Sequence, residues 1–139
     1  MKKPILHILP ILILVTTGLL LSLGLSSGTD FTTADREFTV IAKQWSWTFM
    51  EGEGLDLPKL DSVSIKAGQT ITFKLISEDV FHSFALYSPY GKLVAHAEAI
   101  PGVYNKLTYT FAEKGEYQIL CLEYCGMAHA HMSRIISVE

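Results

Sequence analysis

An all-β domain behind a single membrane-spanning helix is the architecture that this sequence predicts. Three observations carry that expectation. From Arg36 onward, apolar residues recur at every second position and no stretch keeps a helical period. Turn-forming residues separate those runs at short intervals. Ahead of them, residues 5–25 form an apolar run with no formally charged side chain. As a helix that run would be roughly 31 Å long, close to the hydrocarbon thickness of a bilayer.

The apolar run "ILHILPILILVTTGLLLSLGL" follows Lys2 and Lys3, which orients the lysines inward and the remaining chain outward. It is longer than the ~7–15 residues of a signal-peptide core and no A-x-A-like site follows it, so residues 1–25 read as an uncleaved anchor. The small and polar "SSGTDFTTAD" of residues 26–35 reads as a linker, and residues 36–139 as the domain. At its start, Phe38 and Val40 occupy even positions while Trp45, Trp47 and Phe49 occupy odd ones. That slip predicts a β-bulge near residues 41–43, with Trp45 and Trp47 facing the same way on one strand. Further strands are expected where Val63 and Ile65, then Ile71, Phe73 and Leu75, then Leu107, Tyr109 and Phe111, then Tyr117, Ile119 and Cys121 each align on one face. Turn signals around Gly68, Pro89 and Gly91, Pro101 and Gly115 lie between them. Short strands at this spacing make a sandwich or small barrel.

With 49% hydrophobic and 18% charged residues, the chain can bury a core. The net charge is −3, and without Lys2 and Lys3 the remainder carries −5. That excludes nucleic acid as the expected partner and permits a basic protein. No Gly-rich phosphate loop is present.

The chemistry concentrates in "CLEYCGMAHAHM", residues 121–132, which holds both cysteines and two of the five histidines. Outside the cytoplasm two cysteines commonly form a disulfide, but Cys121 and Cys125 would close only a tiny loop with little entropic gain. A cysteine nucleophile would need an orienting group and an oxyanion site, and nothing in the sequence supplies them. Zinc on two Cys and two His is chemically sound. Met132 favours copper, because a thioether is a soft ligand, and Cys125, His129 and Met132 give the order of a blue-copper loop. His82, at the head of the apolar strand in "EDVFHSFAL", would supply the second imidazole. Cys121 is surplus to such a site. As a second thiolate it could bridge, making a binuclear cluster in which each copper keeps one histidine. The weak positions would then go to Met132 and the Glu123 carbonyl.

The pattern C-x-E-x-C-G-x-x-H-x-x-M, with the earlier D-V-x-H of Asp79, Val80 and His82, closely resembles the CuA site of cytochrome c oxidase subunit 2. "KQWSWTF" is similar to that family's Q-W-x-W stretch, and the likeness spans the domain from about Arg36. The resemblance implies a cupredoxin-like Greek-key barrel or sandwich holding two copper ions in a mixed-valence centre. The metal residues it implies are His82, Cys121, Glu123, Cys125, His129 and Met132. It further implies electron transfer from cytochrome c or a similar donor to haem in subunit 1, where oxygen reduction occurs. With room for one membrane helix, the chain looks like the shorter branch found with B-family, ba-type oxidases. Its copper domain is expected on the extracytoplasmic, periplasmic side of the cell membrane, held by a single pass. A membrane-tethered copper-binding or delivery protein is the alternative. Trp45 is the residue through which electrons would enter. His131 is expected to be a loop residue, His96 a strand or surface histidine, and Met127, with Leu122 and Tyr124, apolar cover that limits water access to the coppers.

Overall fold

The structure, a computed structural model, describes residues 33–139. The expected anchor at 1–25 and most of the linker at 26–35 lie outside the described residues. Among the described residues, no helix is long and apolar enough to cross a membrane.

Among the described residues, ten strands form two five-stranded sheets. In the first, β3 (Lys59–Leu60), β2 (Ser46–Glu51), β1 (Arg36–Lys43), β5 (Thr70–Ser77) and β8 (Asn105–Thr110) lie side by side in that order. In the second, the order is β4 (Ser64–Ile65), β10 (Ser133–Val138), β9 (Gly115–Cys121), β6 (His82–Tyr87) and β7 (Leu93–Ala99). β1 runs parallel to β5 and β4 parallel to β10, while the other pairs are antiparallel. The chain crosses between sheets five times, so strands distant in sequence become neighbours.

The expected alternation fixes which face is buried. Ile71, Phe73 and Leu75 of β5 and Phe84 and Leu86 of β6 are all fully buried. Phe73 and Phe84 meet across the sandwich with ring centroids 5.2 Å apart. Each such side chain contributes about 1.5–3 kcal/mol by burial alone, and aromatic pairing adds to it.

The parity slip has another origin than a bulge. β1 and β2 are a hairpin joined at Gln44 and Trp45, and their register runs unbroken from Phe38↔Glu51 through Val40↔Phe49 and Ala42↔Trp47 to Lys43↔Ser46. Facing residues in this hairpin always pair an even with an odd position, so even residues of β1 and odd residues of β2 share the inner face. Trp45 therefore sits in the turn, while Trp47 is buried in β2. The two indoles do not face the same way. The described register shift lies elsewhere, between Leu86 and Tyr87 where β6 meets β7.

This topology gathers the functional segments. The β1–β2 turn, the segment between β5 and β6, and the loop from β9 to β10 all emerge at one end of the sandwich. The parallel pairing Ala42↔Ser77 and the antiparallel pairings Phe84↔Cys121 and Leu120↔Ser133 require it.

Candidate metal centre

Cys121 is the last residue of β9 and alternates inward after Tyr117 and Ile119, so its sulfur ends the core-facing row. The chain then loops through Cys125 and a 3-10 turn at His129–His131 before Met132 leads into β10. Backbone bonds tie the loop: His129 N–H donates to Gly126 O at 3.1 Å, and Cys121 N–H to Met132 O at 3.2 Å. The second bond closes the base of the loop across β9 and β10.

The loop folds its donors onto one another. Cys121 Sγ and Cys125 Sγ are 3.8 Å apart and unbonded. Cys121 Sγ lies 3.8 Å from His82 Nδ1 and 3.2 Å from the Glu123 carbonyl oxygen. Cys125 Sγ lies 3.5 Å from His129 Nδ1 and 3.8 Å from Met132 Sδ. The result is a doubled set, in which each sulfur has its own imidazole nitrogen and its own weak donor. Among the described residues, His82, Cys121 and Cys125 form a buried cluster with ligand atoms within 4.8 Å of one another. The set fits soft metal ions: at the ~2.3 Å typical of zinc thiolates, sulfurs 3.8 Å apart would subtend about 110° at an ion bonded to both.

His82 is fully buried at the start of β6, with the Trp47 indole against its ring at 6.1 Å and 66°. Its Nε2 lies 2.8 Å from Asp79 Oδ1. Val80 N–H also donates to Oδ1 at 2.6 Å, and Gln44 N–H donates to Oδ2 at 2.7 Å. Burial on its own raises the Asp79 pKa. The bonds from Gln44 N–H, His82 and Val80 N–H outweigh it and hold the carboxyl at about 2. An ionised carboxylate only accepts, so Nε2 is the protonated nitrogen of His82 and Nδ1 is left facing the sulfurs. At Cys125, burial and then the neighbouring Cys121 thiol push the thiol up to about 11.

A third loop covers this arrangement. Gln44 Nε2 donates to the Cys125 carbonyl at 2.6 Å and Trp45 Nε1 to the same oxygen at 3.1 Å. Gly126 makes room for them: its φ is +111°, and a Cβ there would meet Gln44 Nε2 at 2.9 Å and the Trp45 ring at 3.3 Å. Only glycine meets both demands without strain.

The structure thus brings together His82, Cys121, Glu123 (through its carbonyl), Cys125, His129 and Met132, with Trp45 over the loop. His96 is on β7, paired with Glu98 at 2.8 Å and remote from the cluster, and His131 is an exposed loop residue. The apolar cover expected from Leu122, Tyr124 and Met127 is not there: Tyr124 is 75% and Met127 94% exposed, and Leu122 is exposed too. Side chains between the donors of a tight loop turn away from the point on which the donors converge. Val80, Phe81 and Trp45, on the other two loops of this end, are exposed as well, so this end of the sandwich carries an apolar rim of exposed side chains from all three loops. Sequence reasoning gave no role to Asp79 or Gln44. The D-V-x-H spacing hinted at the first, and the second makes its contacts 35 and 81 residues away.

Comparison with known proteins places this geometry. Residues 51–139 match the family model described as cytochrome C oxidase subunit II, periplasmic domain. A cytochrome c oxidase subunit 2 of Thermus thermophilus is 35% identical over 77 residues, covering 55% of this chain and 54% of that one. The chain spans about half the length of the curated relatives it matches first. Among solved structures, the periplasmic domain of subunit II of cytochrome oxidase from Bradyrhizobium japonicum superposes with a TM-score of 0.62 at 26% identity, covering 77% of this chain and 86% of that one. A subunit II domain trapped as a mixed disulfide with a thioredoxin-like protein superposes at 0.59 with 25% identity, covering 81% of this chain and 87% of that one.

Proposed function

The chain belongs to the cytochrome c oxidase subunit II family, and from that premise we propose that it holds a binuclear copper centre through which single electrons pass from a donor such as cytochrome c to haem in oxidase subunit 1. The observation that carries this reading is the doubled donor set, with Cys121 and Cys125 sulfurs 3.8 Å apart and a separate imidazole beside each. When bound, the copper pair supplies a one-electron couple spread over two ions.

The chain's own residues do the rest. Cys121 and Cys125 would hold the ions as thiolates, His82 and His129 would each add an imidazole Nδ1, and Met132 Sδ and the Glu123 carbonyl would serve as the weaker donors. Burial of His82, Cys121, Cys125 and Met132 keeps water from the centre. The ends of β6, β9 and β10 in one sheet fix the donors, and the β1–β2 turn of the other braces them, so little moves when the charge changes. Trp45, 37% exposed and bonded to the Cys125 carbonyl, is the point at which electrons enter. The surrounding rim of Val80, Phe81, Tyr124 and Met127 offers an apolar landing for the donor protein. Family membership supports an extracytoplasmic position for the domain. Residues 1–25 would anchor it in the cell membrane through the linker 26–35.

Electron paramagnetic resonance of the copper-loaded domain, with a metal-to-protein ratio, tests the reading. Two coppers per chain sharing one unpaired electron are expected. One copper with a single-nucleus pattern would reduce the site to a mononuclear carrier. Zinc or Cu(I) with no signal would favour the copper-delivery alternative.

A further inference from the structure

Three loops meet at the metal end, and the proposed metal donors come with two of them: His82 follows the β5–β6 segment, and the other five run from Cys121 at the end of β9 to Met132 just before β10. Gln44, on the third loop, touches both ligand-bearing segments. Its backbone N–H donates to Asp79 Oδ2 at 2.7 Å, and the other oxygen of that carboxylate holds His82 Nε2 at 2.8 Å. Its side-chain Nε2 donates to the Cys125 carbonyl at 2.6 Å, a shorter contact than the 3.1 Å one from Trp45. The ring closes through the sulfurs, since Cys121 Sγ is 3.8 Å from both His82 Nδ1 and Cys125 Sγ.

We infer that Gln44 is a positioning residue that sets where the His82 half of the centre lies relative to the Cys125 half. This rests on the binuclear reading above and adds a residue to it. Its contacts with both ligand-bearing segments set Gln44 apart from its neighbours. Among the described residues, the Trp45 indole N–H reaches the Cys125 carbonyl alone, so it steadies one half. Gly126 lacks the Cβ that would push the Gln44 amide off that carbonyl, so the backbone is shaped to admit this contact. Among the described residues, the Lys43 ammonium, one residue earlier, pairs only with the exposed Glu78. A carbonyl held by two donors and packed under an indole has little freedom, and the Cys125 sulfur on the same residue inherits that restraint.

Gln44→Met keeps the side chain's length and bulk and removes its donor, and Gln44→Lys restores an N–H donor of similar reach. Three readouts on the full chain test the inference. In the metal-free chain, amide hydrogen exchange of residues 122–128 is expected to quicken about tenfold in Gln44→Met, the scale of one lost hydrogen bond to a part-buried carbonyl. In the loaded chain, copper should pass to a competing chelator faster by a similar factor, and the copper hyperfine pattern should change. Gln44→Lys should recover most of each effect, and Lys43→Met should show none. Unchanged exchange and hyperfine pattern in Gln44→Met would overturn the inference, as would equal effects in the Met and Lys variants, which would mean packing alone. If the unaltered chain gives no two-copper signal, the binuclear reading fails, and the exchange of the metal-free loop still decides the role of Gln44.

Discussion

Because Asp79 is ionised at any ordinary pH, its carboxylate can only accept, and that obliges His82 to present Nδ1 to the sulfurs. The same carboxylate also holds the folded chain together, with partners at Gln44, Val80 and His82. Its folded pKa of about 2 lies below the ordinary 3.8. A depressed folded pKa adds stability that is fully present above about pH 4 and is lost as pH falls through the folded value. The shift corresponds to about 2 kcal/mol for this mostly shielded group. In the metal-free protein, urea denaturation should find Asp79→Asn less stable than the parent by about that amount at pH 7. The two curves should converge near and below pH 2. A gap that stays constant across pH would mean the ionised carboxylate is not its source.

The β1–β2 hairpin does two jobs with adjacent residues. Trp47 enters the core and packs against His82 and Phe84, while the turn carries Trp45 onto the Cys125 carbonyl. Trp45→Phe removes an indole whose N–H is tied to the loop and leaves the proposed ligands in place. Stopped-flow mixing with reduced donor should show electron uptake slowed about tenfold or more, while the copper resonance signal is retained. Unchanged uptake would remove Trp45 from the path. The hairpin also marks where the sequence could be read and where it could not. Rows such as Ile71, Phe73 and Leu75 are legible because a two-residue period has one physical cause, a sheet with one buried face. The parity change between Val40 and Trp47 is not, since a bulge and a tight turn both produce it. β3, two residues long, is too short to alternate at all. The cluster at residues 121–132 was legible because its donors lie on one loop. The Gln44 bonds were not, because they exist only once β1 and β5 run side by side and the second sheet brings the β9–β10 loop against their end.

For the molecule as a whole, two sheets build a rigid end in which both thiols sit buried. Burial and the neighbouring thiol push Cys125 up to about 11, so metal must displace its proton. Copper loading in weakly buffered solution at pH 7 should therefore release protons, and the apparent affinity should fall about tenfold per pH unit for each proton displaced. Loading that releases none would exclude Cys125 thiolate as a ligand. The layout of the donors has a thermodynamic consequence as well. Five of the six, from Cys121 to Met132, lie on one short loop and remain close neighbours even in an unfolded chain. Copper held by the proposed site would thus adhere to the denatured ensemble too, and mass action would credit the native state only with the difference in affinity. That difference comes from what folding alone delivers: the imidazole of His82, thirty-nine positions before Cys121, and a dry place to put the ions.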